Sequence, residues 1–266
     1  MRPSETLAAH GAHHVRIESY REGLLSMTGI VLTMLVGVAV LAGLVGLYIY
    51  AWSVPTWQVF GPALVRGPVQ DGKVALTFDD GPCSPYTDEI LDILRERKVT
   101  ATFFLCGKNV ERHPEIARRI VAEGHTIGNH SYSHPFPYFR RRPFIAAEID
   151  RTQNVIEQIT GRRPRIFRPP FGARWLGMYS VLRERGLPLI NWSDTGYDWL
   201  QGVDIADETL KRLRPGSIIL LHDGNRVHLP RRVDQSRTVS ALPAIIDGVH
   251  QAGLTFVSVA DFLPST

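Results

Sequence analysis

The apolar positions of this chain follow two regimes that change over near residue 55. From Leu24 to Pro55 there is no charge, and Ile30 to Ile49 is an almost unbroken run of Val, Leu, Ile, Ala and Gly. At helical rise such a run crosses the roughly 30 Å hydrocarbon core of a bilayer. It is too long for a buried core helix and has no polar face. Tyr48, Tyr50, Trp52 and Trp57 close it with the aromatic residues that favour a membrane interface. No small-x-small cleavage site follows in Leu47-Tyr48-Ile49-Tyr50-Ala51-Trp52, so the segment reads as an uncleaved signal anchor.

Beyond a stretch rich in Pro and Gly, short apolar runs alternate with longer amphipathic ones. Strands are predicted over Lys73–Phe78, Thr100–Leu105, Thr126–Gly128, Arg165–Phe167, Leu187–Trp192, Ser217–Leu221 and Thr255–Val259. Helices are predicted near Thr87–Arg97, Pro114–Ala122, Phe144–Ile159, Tyr179–Arg185, Asp207–Leu213 and Val239–Gln251. Repeated strand–helix units imply a parallel sheet, either open and doubly wound or closed as a barrel. The organisation predicted is a tail over 1–23, a transmembrane anchor over 24–52, a linker over 53–70 and a folded domain over 71–266.

Charge adds orientation. The formal net charge is +4, and residues 1–52 hold three Arg and three Glu, so the excess lies beyond them. Three Arg precede the anchor, whereas the first basic residue after it is Arg66. The positive-inside rule therefore places the N-terminus in the cytoplasm and the domain outside, as a single-pass protein of the cell membrane. No helix is continuously basic and no aromatic–basic module is present, which argues against nucleic acid as a partner. Arg140-Arg141-Arg142, Arg162-Arg163-Pro164-Arg165 and Arg231-Arg232 read as solvated faces. The two cysteines, Cys83 and Cys106, follow neighbouring strand-like runs, where an exported domain would hold either a disulfide or two thiols.

The residues with chemistry fall just after the predicted strands, whose ends gather on one face of α/β sheets and barrels. Asp79-Asp80 ends the first strand on two adjacent carboxylates, a pair that calls for a cation or an Arg to offset its repulsion. His130-Ser131-Tyr132-Ser133-His134 puts two imidazoles four residues apart, and with one carboxylate they make a two-His, one-carboxylate metal set. The second carboxylate is then free to serve as general base. Arg168, before Pro169-Pro170-Phe171-Gly172, offers a guanidinium to hold that base ionised. His222 in Leu220-Leu221-His222-Asp223 suits protonation of a leaving group, and Asp198-Trp199 supplies an acid to orient it and an aromatic wall.

These five motifs, in this order, resemble those of the polysaccharide deacetylases, carbohydrate esterase family four, over Lys73 to about Leu263. The resemblance implies a distorted (β/α) barrel and metal-dependent hydrolysis of N-acetyl groups on a glycan, most simply peptidoglycan. By that resemblance Asp79 is the general base held by Arg168, and Asp80, His130 and His134 bind Zn²⁺, Co²⁺ or another divalent ion. His222 is the general acid oriented by Asp198, the Phe171 backbone N–H completes an oxyanion site, and Trp199 and Leu220 line the acetyl pocket. The partners implied are a glycan and, through the anchor, a membrane. An O-acetyl esterase and an inactive glycan-binding relative are the alternative readings. The chain departs from the family pattern in Asp194-Thr195-Gly196-Tyr197-Asp198-Trp199, where the two acids stand four apart, leaving open whether Asp194 or Asp198 reaches His222. Phe171 replaces the family's frequent Tyr.

Overall fold

The computed structural model of the chain describes residues 27–50, 58, 61–136, 140–174, 176–224 and 234–264. The tail 1–23, Trp52, Trp57 and the Arg231-Arg232 pair lie outside the described residues. Two compact units are present, Met1–Tyr50 and Ala51–Thr266. In the first, helix α1 (Met27–Tyr50) carries no Asp, Glu, Lys or Arg and is long and apolar enough to cross a membrane. The Thr33 hydroxyl donates to the Gly29 carbonyl at 2.9 Å, so this polar side chain needs no solvent.

Among the described residues the second unit is built on six parallel strands, β1 (Lys73–Asp79), β2 (Thr102–Leu105), β3 (Thr126–Asn129), β4 (Asp194–Thr195), β5 (Ile218–His222) and β6 (Thr255–Val257). Its helices are α2 (Tyr86–Arg97), α3 (Gly107–Arg112), α4 (Pro114–Ala122), α5 (Arg142–Thr160), α6 (Leu176–Glu184), α7 (Ile205–Leu210) and α8 (Ser236–Gln251). β1 is central, with β5 along one edge, while β6 takes the first half of the other edge and β2 the second. The ring closes through single bridges. Asn129 pairs with Phe167, Phe167 with Leu189, and the segment after Leu189 runs on into β4, which pairs with β5. This is the distorted (β/α) barrel that the motifs imply.

Side-chain alternation along β1 divides the core. Val74, Leu76 and Phe78 point outward and pack with Ile90, Leu94, Ile120, Ile245 and Val249 of α2, α4 and α8. Ala75 points inward among Phe104, Ile166, Ile190 and Ile218. Thr77 and Asp79 share that inward phase, so the strand's last residue carries a carboxylate to the mouth of the barrel.

Three expectations need correction. Arg165–Phe167 and Leu187–Trp192 are not continuous strands but isolated bridges, because Pro164, Pro169 and Pro188 remove ladder donors. Helix α3 was not anticipated, being too short to show a period. Part of the predicted linker 53–70 belongs to the domain, since Leu64 donates to Leu189 and accepts from Asn191, and Gly67 donates to Gly216. Ala63 is buried there and Arg66 pairs with Asp194 at 3.1 Å, so the domain begins by Gly61 rather than Asp71. Cys106 is a buried free thiol, so the two cysteines do not pair with each other.

Candidate active site at the strand ends

In an extended chain Asp79 and Asp80 would point to opposite faces. Asp80 instead adopts φ 75°, in the left-handed region, and turns its carboxylate back toward the same point. Both acids then meet one imidazole, with His130 Nε2 at 3.3 Å from Asp80 Oδ1 and 3.7 Å from Asp79 Oδ2. The turn is held from outside, as Asn109 donates Nδ2–H to the Asp80 carbonyl at 2.6 Å. A Cβ on Gly224 would fall 2.3 Å from that carbonyl, so only glycine admits this approach. Among the described residues six non-glycine positions have positive φ, and five of them, Asp80, Ser131, His134, Phe171 and Tyr197, lie in the strand-end loops. Backbone strain is thus concentrated at the site, where the surrounding structure must pay for it.

His130 to His134 form a tight loop after β3 rather than a helical turn. Asn129 Oδ1 accepts from Ser131 N–H at 2.9 Å, and Ser131 Oγ accepts from His134 N–H at 3.1 Å. His134 Nε2 comes to 3.1 Å from Asp80 Oδ1, and the ligand atoms of Asp80, His130 and His134 lie within 4.8 Å of one another. His130 Nδ1 meets the Arg168 carbonyl at 2.8 Å; a carbonyl only accepts, so Nδ1 holds the proton and Nε2 presents its lone pair. Asp80 Oδ1 is buried without a hydrogen-bond partner. An ionised oxygen with no donor, facing an imidazole lone pair, is the environment of a cation ligand, and the three residues could hold a metal ion.

Asp79 is anchored differently. Arg168 Nη1 donates to its Oδ1 at 2.7 Å and to Thr77 Oγ1 at 2.8 Å, while Nη2 donates to the Asn191 carbonyl at 3.1 Å. The guanidinium stacks 4.0 Å above the Phe104 ring and is fully buried, which pulls its pKa below the ordinary value against the opposing charge of Asp79.

Across the site, His222 ends β5 beside Asp79 in register. Asp198 Oδ1 meets its Nδ1 at 2.8 Å and Oδ2 accepts its backbone N–H at 2.7 Å. Burial works against the imidazolium, yet Asp198, helped by Asp80 and Asp79, carries its pKa up to about 9. Asp194 does not reach it, being held by Arg66 and by the Ser193 hydroxyl at 2.6 Å. Trp199 sets its ring edge-on to His222 at 5.4 Å, Phe171 lies 4.7 Å from the His134 ring, and Leu220 is buried on β5.

Several residues that hold these groups were not anticipated. Asn109 fixes Asp80, and Glu148 accepts from the Ser133 N–H at 2.8 Å and hydroxyl at 3.0 Å. Asp223 accepts from Thr87 Oγ1 at 2.7 Å, and a Cβ on Gly81 would lie 2.1 Å from its Oδ2. Burial pushes the Asp223 carboxyl up to about 7 despite the Thr87 hydroxyl, with Asp80 and Asp79 adding to the shift. Asp223 follows His222 directly and could have been found by asking what a buried acid there would bond. Asn109 and Glu148 lie on helices with no motif to mark them.

A parallel barrel whose mouth pairs a cation nest with a second carboxylate and a His–Asp couple is the framework of a hydrolase that uses a bound metal. The comparisons sharpen this class to a family. Residues 66–190 match the polysaccharide deacetylases. A peptidoglycan-N-acetylglucosamine deacetylase of Bacillus cereus is 36% identical over 212 residues, 79% of this chain and 74% of the relative. A chitooligosaccharide deacetylase of Rhizobium leguminosarum bv. trifolii is 38% identical over 197 residues, covering 71% and 91%. A crystal structure of a peptidoglycan N-acetylglucosamine deacetylase, complexed with an N-hydroxybenzamide compound, aligns with TM-score 0.69 at 35% identity over 76% of this chain and 92% of that one. The chain belongs to the polysaccharide deacetylase family.

Proposed function

We propose that this protein is a membrane-anchored, zinc-dependent N-deacetylase acting on N-acetylglucosamine-type residues of a cell-envelope glycan, with peptidoglycan as its substrate. The observation that carries the reading is the division of labour between neighbouring acids. Asp80 turns an unpartnered oxygen toward two imidazoles, while Asp79 is neutralised by Arg168 and left beside them.

Bound by Asp80, His130 and His134, a divalent ion would supply a charge that polarises the acetyl carbonyl and acidifies water. The donor set of two imidazoles and one carboxylate favours zinc. Asp79 takes the proton of the attacking water, since Arg168 occupies Oδ1 and leaves Oδ2 beside the cluster. The water oxygen bonds to the acetyl carbon, the C–N bond breaks, and His222 gives the leaving nitrogen a proton from Nε2 because Asp198 holds Nδ1. The Phe171 N–H serves the developing oxyanion, and Trp199 and Leu220 wall the acetyl group. Helix α1 anchors the domain, with residues 1–23 cytoplasmic and the barrel outside, as the arginines before the anchor favour.

The test is acetate release by the full chain from N-acetylglucosamine oligomers and from peptidoglycan, with chelator and after zinc is restored. Zinc-dependent release supports the reading. Release only from O-acetylated polysaccharide identifies an esterase, and binding without release identifies an inactive relative.

A further inference from the structure

The start of α8 lies outside every motif, yet three of its side chains reach the flank that carries His222. Gln235, the residue that caps the helix, donates Nε2–H to the Gly224 carbonyl at 3.0 Å, two residues past His222. Arg237 donates to the Leu200 carbonyl at 2.7 Å and to the Val203 carbonyl at 2.5 Å, closing the loop that follows Trp199. The Thr238 hydroxyl donates to Asp198 Oδ2 at 3.0 Å and stands farther, at 3.3 Å, from Gln235 Oε1. It has one proton to give, and the charged oxygen is both the nearer and the stronger acceptor. Further along, Leu242, Ile245, Ile246 and Val249 seat the helix in the outer core, so its first turn is a fixed point.

The Asp198 carboxylate is sealed from solvent and, among the described residues, receives three donors, the ring and backbone N–H groups of His222 and the Thr238 hydroxyl. The first two belong to the residue that Asp198 orients, so they cannot by themselves fix where the carboxylate stands. Thr238 is fully buried, forty positions along the chain from Asp198, and its branched side chain is stiff. We infer that Thr238 is a positioning residue for the general acid, its hydroxyl fixing the Asp198 carboxylate and, through it, the aim of the His222 ring. The hydroxyl also draws on the carboxylate's charge, leaving less of it to act on the imidazolium. Without this donor the ring loses its aim and holds its proton more tightly, and both changes slow proton transfer to the leaving nitrogen. Asp79 and Asp80, which act on His222 from the other side of the site, are left as they were. The inference rests on the proposed role of His222, and the experiment separates the two.

The full chain in detergent, zinc-loaded, is assayed for acetate release from N-acetylglucosamine oligomers across pH as wild type, Thr238→Val, Thr238→Ala, Thr238→Ser, Asp198→Asn and the Asp198→Asn, Thr238→Val double variant. Thr238→Val keeps the volume and removes the donor, and Thr238→Ala removes the donor without asking the site to accept a second methyl. Both should lower kcat about tenfold with KM and bound zinc unchanged, and should move the high-pH limb upward, opposite to Asp198→Asn. Thr238→Ser should restore the wild-type profile. With Asp198 already neutral there is no charge to hold, so Thr238→Val should add less than about twofold in that background. A limb that stays or moves down in Thr238→Val, or an equal loss of kcat in both backgrounds, shows a hydroxyl that serves packing alone and overturns the inference while the acid assignment stands. If Asp198→Asn itself leaves the limb in place, the acid assignment falls and the inference with it. If the wild type releases no acetate, the deacetylase reading and the inference both fall.

Discussion

The two flanks of the site are built differently. On one, Asp80, His130, His134 and Arg168 are almost sealed from solvent, and backbone carbonyls or an outer side chain fix them. On the other, His222 keeps part of its ring exposed, takes its ring hydrogen bond among the described residues from Asp198, and stands beside a half-open Trp199. Charges interact strongly where water is excluded, so the sealed flank is suited to holding a cation and an ionised base in fixed places. The exposed flank must admit a polymer and release an amine. Substitutions on the first should therefore act on metal content and rate, and on the second on pH dependence and affinity.

The largest effect is expected from Asp79→Asn, which should lower turnover by about 10²–10⁴-fold while bound metal is retained. Asp80→Asn and His134→Ala should instead lose metal on dialysis, with activity partly restored by excess ion. Metal analysis and acetate release on the same samples decide the matter, and the reverse pattern would exchange the roles of the two acids.

Asp198→Asn tests the exposed flank and should cost about 10²-fold. In the proposed role His222 acts in its protonated form, so activity should hold below its pKa and fall as pH rises through it. Asp198 raises that pKa toward about 9, and a cation bound beside it would lower it. Removing the carboxylate's charge lowers it further, moving the high-pH limb of the rate profile to lower pH. An unmoved limb would show that another group is the acid. For the sealed flank, Asn109→Ala removes the donor on the Asp80 carbonyl and should weaken metal affinity by about 10–100-fold, with the pH limb unchanged.

What the sequence made legible follows the same division. The run Lys73–Phe78 and the acids after it announce a strand and its chemistry because alternation and charge are local properties. The histidine loop, Arg168 and His222 were legible as motifs, and barrel closure brings them to one mouth. Asn109, Glu148 and the left-handed turn at Asp80 were not, since each answers to a partner distant in sequence. Pro188 hid the Phe167–Leu189 bridge by breaking the apolar run, and Pro62, Gly67 and Pro68 made docked chain read as linker. The spacing of Asp194 and Asp198 allowed either to reach His222; the contact with Arg66, outside every motif, takes Asp194 away.

The smallest effect on catalysis is expected at that contact. Arg66 donates to Asp194 Oδ2 and to Ser217 Oγ, both at 3.1 Å, tying the segment after Gly61 to β4 and to the chain entering β5. Asp194 is buried, so Arg66→Ala strands a carboxylate that keeps only the Ser193 hydroxyl. The cost lies between that of a surface ion pair and a fully buried one, about 1–3 kcal/mol, and should appear as a lower denaturant midpoint. The ring of His222 keeps Asp198, so kcat/KM and the high-pH limb should not move. Denaturation and pH–rate profiles of Arg66→Ala beside Asp198→Asn check this. A shifted limb in the Arg66 variant would return Asp194 to the acid's orientation and make the docked segment part of the exposed flank rather than of the scaffold.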